Sequence, residues 1–405
     1  MLRTAQVLRT AQVLRTAQVL RTALHLGLTS FGGPLAHLGY FERTYVRRLG
    51  WLSGEEYSAL VALCQILPGP SSSQVGFLIG LHRAGWPGAL AAWLGFTLPS
   101  ALLLYGCAVL SAHAQGPIAL AVLHGLKLAA VAVVAQALWS MARTLCPDRA
   151  TAALALAAAA ALLLFGGAAT QLAALAAGAA GGILLCRRTV AVGAAAPLSV
   201  PRPQAWAAAA LFALLLLALP LLAWLFPHGY VALAGVFYRA GALVFGGGHV
   251  VLPLLRDALV PAGWISDDGF LAGYGLAQAV PGPLFSVAAY LGAANPWTHS
   301  PALAAAVAVV FIFLPGLLLA VAGAALWGSL ARHATARAAL TGVNATVVGI
   351  LGAALYDPVW ITAIRGAADA VIAGGALLLL MSGKAPPLVI VLLCVLCSVI
   401  RVLSA

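Results

Sequence analysis

One unusual segment occurs twice in this 405-residue chain, and few folds can hold it. Phe31-Gly32-Gly33-Pro34 leads through Gly50-Trp51-Leu52-Ser53 to Gln65-Ile66-Leu67-Pro68-Gly69-Pro70, and Phe245-Gly246-Gly247-Gly248 leads through Gly263-Trp264-Ile265-Ser266 to Gln278-Ala279-Val280-Pro281-Gly282-Pro283. Phe31 and Phe245 stand 214 residues apart, Gln65 and Gln278 213, Pro99 and Pro315 216, and Gly125 and Gly342 217. So small a drift marks an internal duplication. In a membrane, two related halves that each carry a proline-glycine interruption point to a transporter with its site between the repeats.

The membrane setting follows from composition. Hydrophobic residues make up 63% of the chain and charged residues 7%, against roughly 25% charged in soluble domains. Apolar runs of about 20 residues recur, each long enough to cross a hydrocarbon core of roughly 30 Å. The expected fold is therefore all-α: a polytopic integral membrane protein of about 13 hydrophobic segments, with the lipid bilayer as its solvent. Lipid cannot satisfy a free N–H or C=O, so irregular backbone is tolerated only where protein buries it or a wet cavity meets it. The excess of 21 Lys+Arg over 9 Asp+Glu would suggest nucleic acid in a soluble chain. Here the arginines fall mainly in short loops, where topology explains them, and no nucleic-acid partner is expected. Six cysteines without framework spacing, Cys394 and Cys397 included, read as small core residues. The chain has no HExxH, P-loop, nucleophile elbow or paired catalytic carboxylates, so neither catalysis, metal nor cofactor is expected.

Four stretches follow from the punctuation. Residues 1–22, with LRTAQV three times in succession, read as a low-complexity basic cytoplasmic tail arising from a repeat at the DNA level or a mis-set start, with a membrane-surface helix as the alternative. Residues 23–186 form the first repeat, 187–230 a linker with one membrane helix near 205–226, and 231–405 the second repeat. If each repeat crosses an even number of times, the single extra helix starts the second repeat on the opposite face, and the topology is inverted. Positive-inside counting agrees. With a cytoplasmic N-terminus, Arg83, Arg143, Arg149, Arg187, Arg188, Arg202, Arg332, Arg337 and Lys384 fall inside, and Arg239, Arg256, Arg365 and Arg401 outside. Arg43, Arg47 and Arg48 would be stranded outside by a full span over 24–47, which favours a re-entrant or tilted segment there.

The breaks carry the chemistry. A proline inside a helix removes a backbone bond, and Pro70 suits the first turn of a new half-helix. The start of that half-helix presents free N–H groups and about half a positive charge, with the hydroxyls of Ser71, Ser72 and Ser73 beside them. This is an anion site by construction, and the break at Pro281-Gly282-Pro283 adds Ser286, the mate of Ser73. The alternative is a plain proline kink closed by serine back-bonding. Phe31-Gly32-Gly33-Pro34 and Phe245-Gly246-Gly247-Gly248 suit close backbone approach or a chain reversal at membrane depth, in a site or gate, or helix packing alone. Lys127 sits mid-segment with no acid within a helical turn, so a bound anion would serve as its partner, unless it snorkels or meets carbonyls. Its repeat mate is Asn344. His124, one turn earlier, is a satisfied core residue or a proton shuttle. Ser53 and Glu56 match a capping box, and Arg365 and Asp369 at i and i+4 suggest an intrahelical pair.

These motifs, together with GFTLPS at 95–100 and FGGGHVVLPLL at 245–255, resemble the chromate ion transporter family in its long, two-domain form. The resemblance covers about 25–400 and leaves the LRTAQV repeats outside. It implies export of chromate from the bacterial cytoplasm across the inner membrane, chromate resistance, and sulfate as the isosteric competitor. It also implies functional positions at the two FGG and two PGP segments and at Arg83. A sulfate or other anion carrier, an intramembrane enzyme acting on lipid, and a structural membrane subunit are the rivals; a homodimer is the assembly to test. With the cell interior negative by about 100 mV, a dianion moving outward gains about 4.6 kcal/mol. Export at that gain needs no coupling ion.

Overall fold

The computed structural model describes residues 2–31, 33–111, 116–186, 200–227, 229–245, 248–297, 299–330, 333–383 and 385–404. Gly32, Gly246 and Gly247 of the expected site, and Arg187, Arg188, Arg332 and Lys384 of the expected topology, lie outside the described residues.

The first repeat comprises α1 (Leu2–Thr29), α2 (Gly33–Phe41) continued by a π-helical stretch Glu42–Arg48, α3 (Gly54–Ile66), α4 (Ser71–Ser111), α5 (Pro117–Leu145), α6 (Arg149–Phe165) and α7 (Gly167–Leu185). After the unpaired α8 (Arg202–Leu225), the second repeat follows the same plan. It comprises α9 (Tyr230–Leu243), a 3-10 turn Gly248–Val250 running into α10 (Val251–Leu259), α11 (Asp267–Ala279), and a second 3-10 turn Leu284–Ser286 leading into α12 (Val287–Ala293). Then come α13 (Pro301–Leu330), α14 (Ala334–Ala354) with a π-helical stretch Leu355–Trp360, the short α15 (Ile361–Ala363), α16 (Ala367–Met381) and α17 (Pro387–Leu403). Among these, α4, α5, α8, α13 and α14 are long and apolar enough to cross a membrane. The chain is a multi-pass, all-helical membrane protein.

Side-chain contacts fix which ends share a face. Arg83 stacks over Trp51 at 5.1 Å and donates to Gln18 at 3.5 Å, while Gln12 donates to the Ala84 carbonyl. The starts of α1 and α3 and the end of the first half of α4 therefore lie together, on what we term the near face. At Ala84 and Gly85 (φ +60°) the backbone leaves helical geometry, and the rest of α4 turns back to cross the molecule. Ser111 at its end reaches Tyr290 of α12 at 3.5 Å, and Gln171 of α7 donates to Asp257 at 2.6 Å. Those residues mark the far face. In the first repeat, α1–α2 and α3 with the first half of α4 thus dip in from the near face and return to it. The second repeat's α9–α10 and α11–α12 do the same from the far face, so the two halves are inverted. The re-entrant α1–α2 pair brings Arg43, Arg47 and Arg48 back to the near face.

The expected tail is more than a tail. Residues 2–22 continue without a break into 23–29 as one helix, and Val19, Ala23 and Leu26 are buried against α4. A stripe at 12, 16, 19, 23, 26 and 30 faces inward at three- and four-residue spacing. Because a six-residue period does not match a helical turn, successive copies of LRTAQV present Gln12, Thr16 and Val19 to that stripe and leave Arg15 and Arg21 exposed. Gly27 and Gly95 let the two backbones touch: a Cβ on Gly27 would sit 2.7 Å from the Gly95 carbonyl oxygen.

The two breaks hold the halves together crosswise. The Gly69 N–H donates to the Val244 carbonyl at 2.7 Å, and the Gly282 N–H donates to the Ser30 carbonyl at 2.9 Å. Val244 and Ser30 each precede a Phe-Gly-Gly run, so each break is tied to the opposite repeat's glycine segment by the same bond. Each also rests on the opposite repeat's Leu-Pro kink: a Cβ on Gly69 would lie 2.8 Å from Gly316 Cα, and one on Gly282 2.9 Å from Ser100 Oγ. Both glycines have left-handed φ, +114° and +105°, which a side chain rarely adopts.

Candidate functional site

Between the halves lies a cavity of about 220 Å³, room for about seven waters at roughly 30 Å³ each. Its wall takes Gly33 and Pro34 from the start of α2, Gly69 and Ser71 from the first break, and Gly248 and His249 from the turn that opens α10. Leu38 of α2, Cys64 and Gln65 of α3, Leu67 after it, one face of α5 from Ala137 to Leu145, and Asn344 of α14 complete it. Three helix starts from both repeats therefore converge on one space. At each, the first N–H groups have no carbonyl one turn back to bond, and each end carries about half a positive charge.

The local sequence explains why these ends are free. Pro70 stops α3 from continuing into α4, and the Gln74 side chain locks the break open by donating to the Pro68 carbonyl at 2.8 Å and the Gly316 carbonyl at 2.9 Å. Gly33 sits at φ +79°, a reversal that lets α2 start at depth rather than extend α1. The remaining polar lining is hydroxyl, amide or imidazole: Ser71, Ser140, Thr144, Gln65, Asn344 and His249. No Asp or Glu, and no Lys or Arg, is among the described lining residues. The Asn344 Oδ1 has no hydrogen-bond partner, and an amide can turn its NH2 to whatever enters. Such a set of donors without carboxylates attracts an anion and repels no charge of its own.

A wider cavity of about 580 Å³ opens beside it, walled by Glu42, Gly54, Tyr57 and Ser58 on the near face. The two share Leu38 and Gln65, and the Tyr57 hydroxyl donates to the Leu38 carbonyl at 2.6 Å. Leu38 and Gln65 thus form a two-residue partition between the inner space and the near-face cavity.

Of the residues expected in the site, Gly33, Gly69, Ser71 and Asn344 line this cavity. Phe31, Pro68 and Pro70 adjoin it in the chain, and Phe245 precedes its second glycine segment. Ser72 and Ser73 are buried behind it: the Ser72 hydroxyl lies 3.4 Å from His37 Nδ1, and Ser73 Oγ has no partner. The expectation that both breaks form one site needs correction. Pro281, Gly282 and Pro283 are absent from the cavity wall, and Ser286 accepts a hydrogen bond from Ser100 at 2.6 Å. The physical reason is that α11 packs against α5 beside the second break, whereas the first break opens onto the space between α3 and α14. Arg83 stands apart on the near face, over Trp51.

Lys127 is corrected too. Its ammonium, 3% exposed, meets Asp268 Oδ1 of α11 at 2.7 Å, so it has a carboxylate partner from 141 residues away and does not line the cavity. Asp369 takes only the backbone N–H of Arg365, at 3.1 Å, and gives its carboxylate to His124 at 3.1 Å and to Arg401. That anchors α5, α16 and α17 at the far face. The capping box at Ser53 and Glu56 is present as read. Ser140 and Thr144 were not singled out in sequence; Gln65 and Gly248, inside the duplicated motif, carried a signal.

The sequence pattern of the chromate transporter family matches this chain twice, over residues 17–185 and 231–399. The first match begins inside the LRTAQV repeats. A chromate transport protein of Pseudomonas aeruginosa is 27% identical over 356 residues, covering 84% of this chain and 80% of that protein. Chromate transport proteins are also among the relatives in Cupriavidus metallidurans, 26% identical over 82% of this chain and 80% of its own length, and, as a probable one, in Synechococcus elongatus, 26% identical over 82% and 81%. No solved structure matches.

Proposed function

The chain belongs to the chromate transporter family, and from that premise we propose that it carries chromate out of the cytoplasm across the bacterial inner membrane and so confers chromate resistance. The observation that carries this reading is the convergence of the starts of α2, α4 and the α10 turn on one carboxylate-free cavity. Chromate is a tetrahedral dianion, and its water must be replaced by fixed dipoles or the cost of several kcal/mol per charge goes uncompensated. Three helix ends offer roughly 1.5 positive charges among them. Hydroxyl and amide donors from Ser71, Ser140 and Asn344 stand around the same space, while the Thr144 hydroxyl donates to the Ser140 carbonyl at 3.0 Å.

Arginine placement supports a cytoplasmic near face and N-terminus. Arg43, Arg47, Arg48, Arg83, Arg143, Arg149, Arg202 and Arg337 belong to near-face ends of the described elements. On the far face, Arg256 and Arg401 are neutralised by Asp267 and Asp369. Leu38 and Gln65 alone are shared between the cavity and the near-face opening, on the side from which loading from the cytoplasm would come. Sulfate, of the same shape and charge, would compete.

Everted inner-membrane vesicles test the reading. Vesicles containing the chain should accumulate radiolabelled chromate faster than vesicles lacking it, with sulfate inhibiting. Uptake at the background rate, or uptake of sulfate that chromate does not inhibit, would refute it.

A further inference from the structure

The repeats are alike in sequence but differ in state, and the difference singles out one ion pair. On the near face the cavity separates α3 from α14, with Gln65 on one wall and Asn344 on the other. The repeat mates of these residues are Gln278 and Lys127, on α11 and α5. There the helices are in contact: a Cβ on Gly275 would lie 2.5 Å from the Leu126 carbonyl oxygen, and Lys127 Nζ meets Asp268 at 2.7 Å. Gln278, in the place that Gln65 holds beside open space, has its Nε2 buried. The mate of Asp268 is Glu55, which is exposed, and Asn344 Oδ1 has no partner. The near face therefore has one charge where the far face has a bonded pair.

We infer that the Lys127–Asp268 ion pair is the latch of the far-face gate, holding α11 against α5 while the near face is open. The inference rests on the proposed passage through the inter-repeat cavity, and Lys127 acts here as a positioning residue. Its ammonium is 3% exposed while Asp268 is 57% exposed, so the pair sits at the boundary between interior and solvent, where a gate must part. Loss of the carboxylate leaves a buried charge without a partner. Separation of α11 from α5 then admits water to it, and opens the path past Gln278. Because the near face has Asn344 in place of a lysine, no equal ion pair opposes this one, and the closed far face is the resting arrangement.

Accessibility reads the gate directly. In a background with the six native cysteines replaced, Gln65→Cys reports the near face and Gln278→Cys the far face, each probed with a membrane-impermeant maleimide in oriented vesicles without added oxyanion. The parent should react at 65 and stay protected at 278. Asp268→Asn, and separately the similarly sized Lys127→Met, should raise the reaction rate at 278 about tenfold, the effect of losing roughly 1.4 kcal/mol of closure. The exchanged pair, Lys127→Asp with Asp268→Lys, should restore protection, which loss of general stability would not. Unchanged protection at 278 in both single variants, or an exchanged pair as reactive as they are, would overturn the latch. Since no chromate is present, a failed vesicle transport assay would sink the substrate reading and leave this test intact.

Discussion

Asn344→Asp should abolish chromate movement while leaving the protein folded. The side chain changes by one atom type and lines the cavity with an unpartnered Oδ1, so packing alone gives it little reason to fail. Electrostatics gives it a strong one. A carboxylate about 4 Å from a unit negative charge repels it by about 4 kcal/mol at an effective dielectric of 20, and a dianion doubles that. Half of the total would still weaken loading more than a hundredfold. The expected signature is loss of vesicle uptake for chromate and sulfate together, with Asn344→Ser, which keeps a neutral donor, within about tenfold of the parent. Normal uptake by the aspartate variant would mean that the anion never approaches α14.

Gly69→Val should be as damaging for a different reason. Its φ of +114° costs a β-branched residue about 1–3 kcal/mol of strain. Its Cβ would also lie 2.8 Å from Gly316 Cα and 3.0 Å from Gln74 Nε2, so the break must move away from α13. That movement would pull Gly69 from the Val244 carbonyl and carry the start of α4 out of the cavity. Transport should fall more than tenfold. Gly106→Ala serves as the control, because a Cβ there meets nothing within 4 Å. Parental transport by Gly69→Val would show that the break is a plain kink.

The amino-acid sequence disclosed what is local or repeated. The duplicated Gln65 and Gln278 motifs located both breaks, and Pro70 foretold a new helix start. The triple arginine at 43, 47 and 48 argued correctly for a chain that dips in and returns. Inversion was legible because one unpaired helix, α8, separates two equal halves. What escaped was set by distance. Nothing within a turn of Lys127 foretells Asp268 on another repeat, and Asp369 chose His124 and Arg401 over its helical neighbour Arg365 because folding brought them closer. The crosswise bonds from Gly69 and Gly282 use backbone atoms, which leave no trace in side-chain identity. For the same reason the loss of the second break from the cavity was hidden. Residues 2–22 misled because a six-residue repeat hides the inward stripe that only a helix reveals.

Anomalous diffraction at the chromium edge, from crystals grown with chromate, tests the central claim most directly. The expected result is a peak inside the inter-repeat cavity, within hydrogen-bonding reach of the Ser71 backbone and the Asn344 side chain. A peak against Pro281–Pro283 or beside Lys127, with that cavity empty, would contradict the account.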